Sequence, residues 1–358
     1  MLRVSPGHQR KGFNQTFLVG VSQANIYPFV SFYILFLFVI RYILYKAPGE
    51  MIPDPQNPQT KIYKREIKYI YIDSTQRVDM VPGTTNYKTL IDSSAALGNT
   101  LRPILKSVKD MVRVFGVLMV EKNNYGVWLL HSMPQFPFRR DQNKFWPESG
   151  FKNAQTFICV TFPYDQFKNI DLLDLFPGNH LQYIGAFPFD YDIPNDFHQE
   201  LIKATKWVQV NPPRTLQMLT SKEHQNFYSI AKQHANLKAG RARSYCSDRN
   251  HRVYNIQNIN TNTGVGSWTP SNDHSKWCVT KNQNKYWTCI ADVNRAKTQY
   301  ERRGGALCIN NQRIRDMFLN FAGLTEDCPP TIRHGFHIMD IDPDCGPSPD
   351  FSTDTRMG

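Results

Sequence analysis

Asp273-His274-Ser275-Lys276-Trp277-Cys278 places a histidine and a lysine two residues apart. On an extended segment such residues point to one face. An imidazole beside a fixed ammonium suits phosphodiester chemistry. The imidazole attacks phosphorus or moves a proton, and the lysine holds a phosphate oxygen whose charge grows in the transition state. A bare His-x-Lys also recurs as ordinary surface polarity, so its weight comes from the chain around it.

That chain has 358 residues, 41% of them hydrophobic, and a net charge of +12. The length suits one large domain or two of medium size. The positive charge suits a polyanionic partner, nucleic acid or an anionic membrane face. Of the seven cysteines, six follow residue 240 and none forms a CxxC pair. This argues against a zinc or thioredoxin-type site and for a disulfide-stapled C-terminal half in an oxidising compartment. The odd count leaves at least one thiol outside any internal pair.

The run from Phe29 to Ile40 is almost wholly apolar, with Arg41 interrupting it and Arg3, Arg10 and Lys11 upstream. It is short for a membrane span and long enough for a signal-peptide core. Three readings stay open: an anchor in contact with a membrane, an atypical leader, or a buried strand.

Further along, residues 47–66 read as a turn-rich connector and 68–72 as a strand. Asp92 is placed to cap a short helix through Leu97 and Leu101. Residues 112–120 and 125–130 read as strands joined by a hairpin turn at 122–124, and 156–162 as a buried strand. Residues 167–176, 196–208 and 221–235 read as helices, the last with Phe227, Ile230 and Ala231 as its inner stripe. A polar loop is expected over 255–266. Strands follow for His274 and for 287–290, then an amphipathic helix over 312–318 and a Pro- and Asp-rich tail after Cys328. Alternating strands and helices indicate an α/β fold.

The order of the motifs is more specific than any one of them. The His274 stretch is followed by Trp287-Thr288-Cys289, Asp292-Val293-Asn294-Arg295, Arg303-Gly304-Gly305 and Leu307-Cys308. Upstream stand Trp128-Leu129-Leu130-His131-Ser132-Met133-Pro134, Gln155-Thr156-Phe157-Ile158-Cys159-Val160 and Leu219-Thr220-Ser221. This series resembles the deoxyribonuclease II family, the acid endonucleases of lysosomes and secretions, with their plancitoxin-like relatives. The likeness runs from Tyr42 to Cys328.

The resemblance implies a phospholipase D-like sandwich of two similar α/β halves, with the active site in the cleft between them and one His-x-Lys from each half. It divides the chain into a leader or anchor (1–40), a first half (41–190), a second half carrying the His-x-Lys (191–328) and a tail (329–358). The implied partner is DNA, cut at acidic pH to 3′-phosphates with no metal or other cofactor, in a secreted or lysosomal setting. His274 and Lys276 match the second His-x-Lys, and Asn294 matches the amide of an Asp-x-Asn-Arg motif. His131 matches a cleft position and is a candidate stand-in base. Arg113, Arg295 and Arg303 are the expected phosphate-binding cations. Cys289 is implied to pair with Cys308 and Cys246 with Cys328, leaving Cys278 as a thiol.

The chain also departs from the family pattern. Arg113 and Phe115 stand where the first histidine and lysine are expected, ahead of Gly116-Val117-Leu118-Met119-Val120. Arginine stays protonated and shuttles no proton, and phenylalanine holds no phosphate. Only residues 236–245 separate 221–235 from Cys246, so the second half is expected to lack a strand. Two readings compete: a nuclease of reduced activity, and a catalytically silent secreted relative that binds DNA or another polyanion.

Overall fold

Every residue of strand β2, Arg41–Lys46, is buried, and the first sheet is built around it. The computed structural model describes residues 16–21, 41–75, 78–81, 90–102, 116–121, 123–134, 136–137, 144–168, 214–232, 254, 256–292 and 304–325. Ahead of β2 lies β1 (Thr16–Val21). After it come a small hairpin, β3 (Met51–Pro53) with β4 (Lys61–Tyr63), then β5 (Tyr69–Asp73) and β6 (Val78–Val81). A short helix α1 (Ala96–Leu101) precedes β7 (Gly116–Glu121) and β8 (Tyr125–His131). One further turn of helix, α2 (Ser149–Lys152), leads into β9 (Gln155–Pro163). Seven strands form one sheet in the order β1-β7-β8-β9-β2-β5-β6, antiparallel except for the β1–β7 pair.

The remaining strands are β10 (Arg214–Thr220), β11 (Asn226–Lys232), β12 (Ile256–Asn260), β13 (Ser267–Trp268), β14 (Trp277–Val279), β15 (Trp287–Ala291), β16 (Gly304–Asn310) and β17 (Ala322–Thr325). Helix α3 (Gln312–Phe321) lies between the last two. Five of these strands form an antiparallel sheet in the order β10-β11-β16-β15-β14, and β13-β12-β17 form a third, small one. The architecture is mixed, with sheets and few helices, in line with the α/β reading.

Alternation along the strands creates two cores. On one face of the seven-stranded sheet, Ile43, Tyr45, Trp128, Leu130, Ile158, Val160 and Phe162 pack with Leu219, Phe227, Ile290, Leu307 and Ile309 of the five-stranded sheet, and with Ile314, Phe318 and Phe321 of α3. The opposite face, with Tyr42, Leu44, Leu129 and Phe157, is covered by Leu97 and Leu101 of α1 and by Phe136, Phe145, Trp146 and Phe151. The first sheet is therefore buried on both faces, which explains its near-continuous apolar strands.

Several sequence expectations are met. Strands occupy 69–73, 116–121, 125–131, 155–163 and 287–291, and α3 covers the expected amphipathic helix. The 122–124 hairpin turns through Asn123, at φ 58°. Cys289 and Cys308 face each other across β15 and β16 and form a disulfide. Cys278 stands beside Cys289 on β14, outside that disulfide.

Other expectations are corrected. Residues 221–235 do not begin a helix: β10 and β11 form a hairpin whose turn runs from Ser221 to Gln225. Ser221 Oγ accepts from Gln225 N at 3.2 Å, so the capping serine closes a turn instead of a helix. Phe227 faces one core while Tyr228 and Ile230 pack on the outer face with Trp287 and Cys289. Apolar residues on both faces of a strand imitate a helical stripe. Residues 256–260 form a strand where a loop is expected. Asp92 does not cap α1: its Oδ1 accepts from Ser94 N and Oγ in a local turn, and Ala95 begins the helix without a side-chain cap. The segment at His274 is extended but enters a strand only at Trp277. The expected helices at 169–176 and 196–208, the tail, Cys246 and Cys328, the shortened 236–245 segment and the run from Phe29 to Ile40 lie outside the described residues. Among the described residues, no helix is long and apolar enough to cross a membrane.

Phe318 joins α3 to both sheets, stacked on Tyr45 and edge-on to Trp277. Phe318→Ala is expected to cost about 3–5 kcal/mol in urea-induced unfolding at constant m-value.

Candidate active site

The His274 stretch crosses from one sheet to the other. Ala154, just before β9, donates to Asn272 O at 2.8 Å and accepts from His274 N at 3.0 Å. Two residues later the chain has joined the second sheet, where Lys276 O accepts from Ala291 N at 2.7 Å. His274 therefore sits at the seam between the sheets. Lys276 shares that seam: its backbone N–H points to Thr156 Oγ1 at 3.4 Å, and its ammonium donates to His274 O at 2.8 Å and Ser132 O at 3.5 Å.

Asp273 fixes this crossing. Its Oδ2 accepts from Tyr45 Oη at 2.5 Å and from Trp268 Nε1 at 2.8 Å, and its Oδ1 accepts from Ser275 N at 2.7 Å. Burial raises the Tyr45 phenol well above its usual range, with Asp273 adding to the effect, so Tyr45 remains a donor. A carboxylate partly withdrawn from water is stabilised by such partners.

The ring of His274 is half-buried, with Nδ1 3.2 Å from Asn153 Nδ2. Burial lowers its pKa below 6.5, Lys276 lowers it further and Asp273 opposes. The site thus favours the neutral, nucleophilic imidazole over the imidazolium. Burial brings the Lys276 amine down to about 8, against the pull of Asp292 and Asp273. Below neutrality it is an ammonium.

His131 ends β8 with no exposed surface, packed against Phe136 and Phe157. Burial drives its pKa down to about 3, and Lys276 pushes in the same direction. It is adjacent to the site, and burial disfavours its imidazolium form. Asn294, Arg295 and Arg303 lie outside the described residues, as do Arg113 and Phe115.

Sequence reading missed five contributors. Tyr45 and Asp273 anchor the segment. Asn153 meets the ring of His274. Lys46 lies wholly buried beneath Asn153. A lysine closing the otherwise apolar strand Arg-Tyr-Ile-Leu-Tyr-Lys was the available signal for the last. Asp292 is a fifth: it is buried, accepts from Gly305 N at 2.7 Å, and its pKa rises to about 7 through burial, with Gly305 and Lys276 opposing. Among the described residues, no group of His, Cys, Asp and Glu is arranged to hold a metal ion.

Comparison with known proteins matches the sequence to one family. The deoxyribonuclease II family model matches residues 113–240 and 234–328. Plancitoxin-1 of Acanthaster planci is 31% identical over 240 residues, 60% of this chain and 64% of its own length. Deoxyribonuclease-2-beta of Homo sapiens is 28% identical over 328 residues, 77% of this chain and 87% of its own. The Mus musculus deoxyribonuclease-2-beta is 32% identical over 306 residues, 70% and 81%. The match thus spans just under two thirds of plancitoxin-1 and more of the mammalian proteins. The chain belongs to the deoxyribonuclease II family and is, by family, an enzyme of the hydrolase class.

The electrostatics give a direct check. Because the Lys276 cation lowers the pKa of His274, Lys276→Met is expected to shift the His274 titration upward in histidine NMR. A downward or absent shift would contradict the placement of the two groups.

Proposed function

We propose that the protein is a deoxyribonuclease II-type endonuclease that cleaves DNA at acidic pH without a metal, leaves 3′-phosphates and turns over slowly. The observation that carries this reading is the seam itself, a half-buried imidazole biased toward its neutral form beside a half-buried ammonium. His274 Nε2 attacks phosphorus while Lys276 holds a non-bridging oxygen. The P–O5′ bond breaks and the leaving oxygen takes a proton from solvent. Water then cleaves the P–N bond, releasing the 3′-phosphate and restoring His274.

Acidity suits this site. Asp292, with its pKa near 7, becomes a neutral acid as pH falls. Lys276 then keeps its charge but loses a counterion, and is free to meet a phosphate. The position of His274 between two sheets that share one core supports a phospholipase D-like cleft. The disulfide supports an oxidising setting, hence a secreted or lysosomal location. Membrane contact through the run from Phe29 to Ile40 remains a separate proposal, tested by retention in a membrane fraction after a high-salt wash.

Turnover is slow in this reading because Arg113 and Phe115 replace the first His-x-Lys. Loss of one member of an acid–nucleophile pair costs roughly 10²–10⁴ in rate. Arg113, Arg295 and Arg303 are retained as phosphate-binding cations.

The test is plasmid nicking at about pH 5 in EDTA, beside DNA binding measured over a range of salt. Slow nicking abolished by His274→Ala and raised at least ~10-fold by Arg113→His with Phe115→Lys is expected. Salt-dependent binding without any nicking would replace this reading with that of a silent polyanion-binding relative.

A further inference from the structure

Tyr45 and Lys46 are neighbours on β2, so their side chains leave the sheet on opposite faces. Tyr45 reaches the Asp273 carboxylate. Lys46, with no exposed surface, reaches the turn that ends in Asn153. Its ammonium donates to Ala47 O at 2.7 Å, Phe151 O at 3.0 Å and Asn153 O at 2.6 Å. Three donors meet three carbonyl acceptors, which saturates the group. Such an arrangement fixes the path of residues 151–153.

Asn153 then carries that order to the site. Its side chain is buried and its amide is the hydrogen-bond partner of the His274 ring among the described residues. With Nδ2 toward the ring, Oδ1 is buried without a partner. A half-turn of the amide about χ2 exchanges the two ends. The carbonyl then accepts from Nδ1–H, gains the partner it lacks, and leaves the lone pair on Nε2.

We propose that Lys46 and Asn153 are positioning residues for His274: the buried ammonium clamps the 151–153 turn, and the Asn153 carbonyl holds His274 in its Nδ1–H tautomer with Nε2 free for phosphorus. This rests on the role of His274 proposed above. It assigns the work of orienting the second-half histidine to residues of the first sheet. Burial brings the Lys46 amine down to about 7, opposed by Asp273, so the clamp is an ammonium under acidic conditions.

The experiment uses the full-length protein with ¹⁵N-labelled histidine. Two-bond ¹H–¹⁵N spectra identify His274 by loss of its signals in His274→Gln. Above its titration, wild-type His274 is expected in the Nδ1–H form. Asn153→Ala and Lys46→Met both move it toward the Nε2–H form, whereas Asn153→Asp keeps Nδ1–H and shifts the titration upward. In nicking assays the first two variants lower kcat about 10- to 100-fold with KM little changed, the size seen when an imidazole loses its orienting partner. If Lys46→Met fails to fold, the two Asn153 variants decide the matter. An Nε2–H tautomer in the wild type, or identical His274 spectra in Asn153→Ala, overturns the proposal. A wild type that binds but never nicks DNA refutes the nuclease reading alone, since the tautomer is read without turnover.

Discussion

The Asp273 carboxylate is the point on which the site depends. It is a charged group drawn into an aromatic surround of Tyr45, Trp268 and Trp277, and it is held by three donors. Removing a partner from a charge partly withdrawn from water costs more than the bond itself is worth. Two of the donors lie within the His274 segment or shortly before it, but Tyr45 belongs to β2, 228 residues earlier. That one hydroxyl ties the short crossing of the second sheet to the middle of the first. The backbone bonds of Ala154 complete the attachment, so His274 is placed by the first sheet although its sequence belongs with the second.

The charges around this crossing respond to pH. Lys46 and Lys276 are both desolvated, and their nearby acids are Asp273 and Asp292. Asp273 is committed to its three donors, and Asp292 gains a proton on acidification. Acid therefore makes the seam more positive, while burial keeps His274 from absorbing the change itself. Neutral His131, packed between phenylalanines beside Lys276, adds shape and no charge.

Much of this was legible in the sequence where the signal is local. His274 and Lys276 announce themselves by spacing, and the strands of the first sheet by their apolar runs. The Cys289–Cys308 pair was implied by the family resemblance. What was not legible depends on long-range topology. Nothing near Lys46 or Asn153 in the chain says that an ammonium from one will hold the turn of the other, or that its amide will meet a histidine more than a hundred residues away. The 221–235 error has another cause: β11 is packed on both faces, so its apolar residues lose the alternation that marks a half-exposed strand. The strand at 256–260 was hidden because its Asn and Gln residues are paired through their backbone and need little apolar surface.

The central claim is that His274 itself bonds to phosphorus. Rapid mixing with a short DNA duplex at acidic pH, alkaline quenching to preserve P–N bonds, and peptide mass spectrometry test it directly. The account predicts a 3′-nucleotidyl adduct on the peptide carrying His274, absent from His274→Ala. Cleavage that persists in His274→Ala, with no adduct on the wild-type peptide, would contradict it.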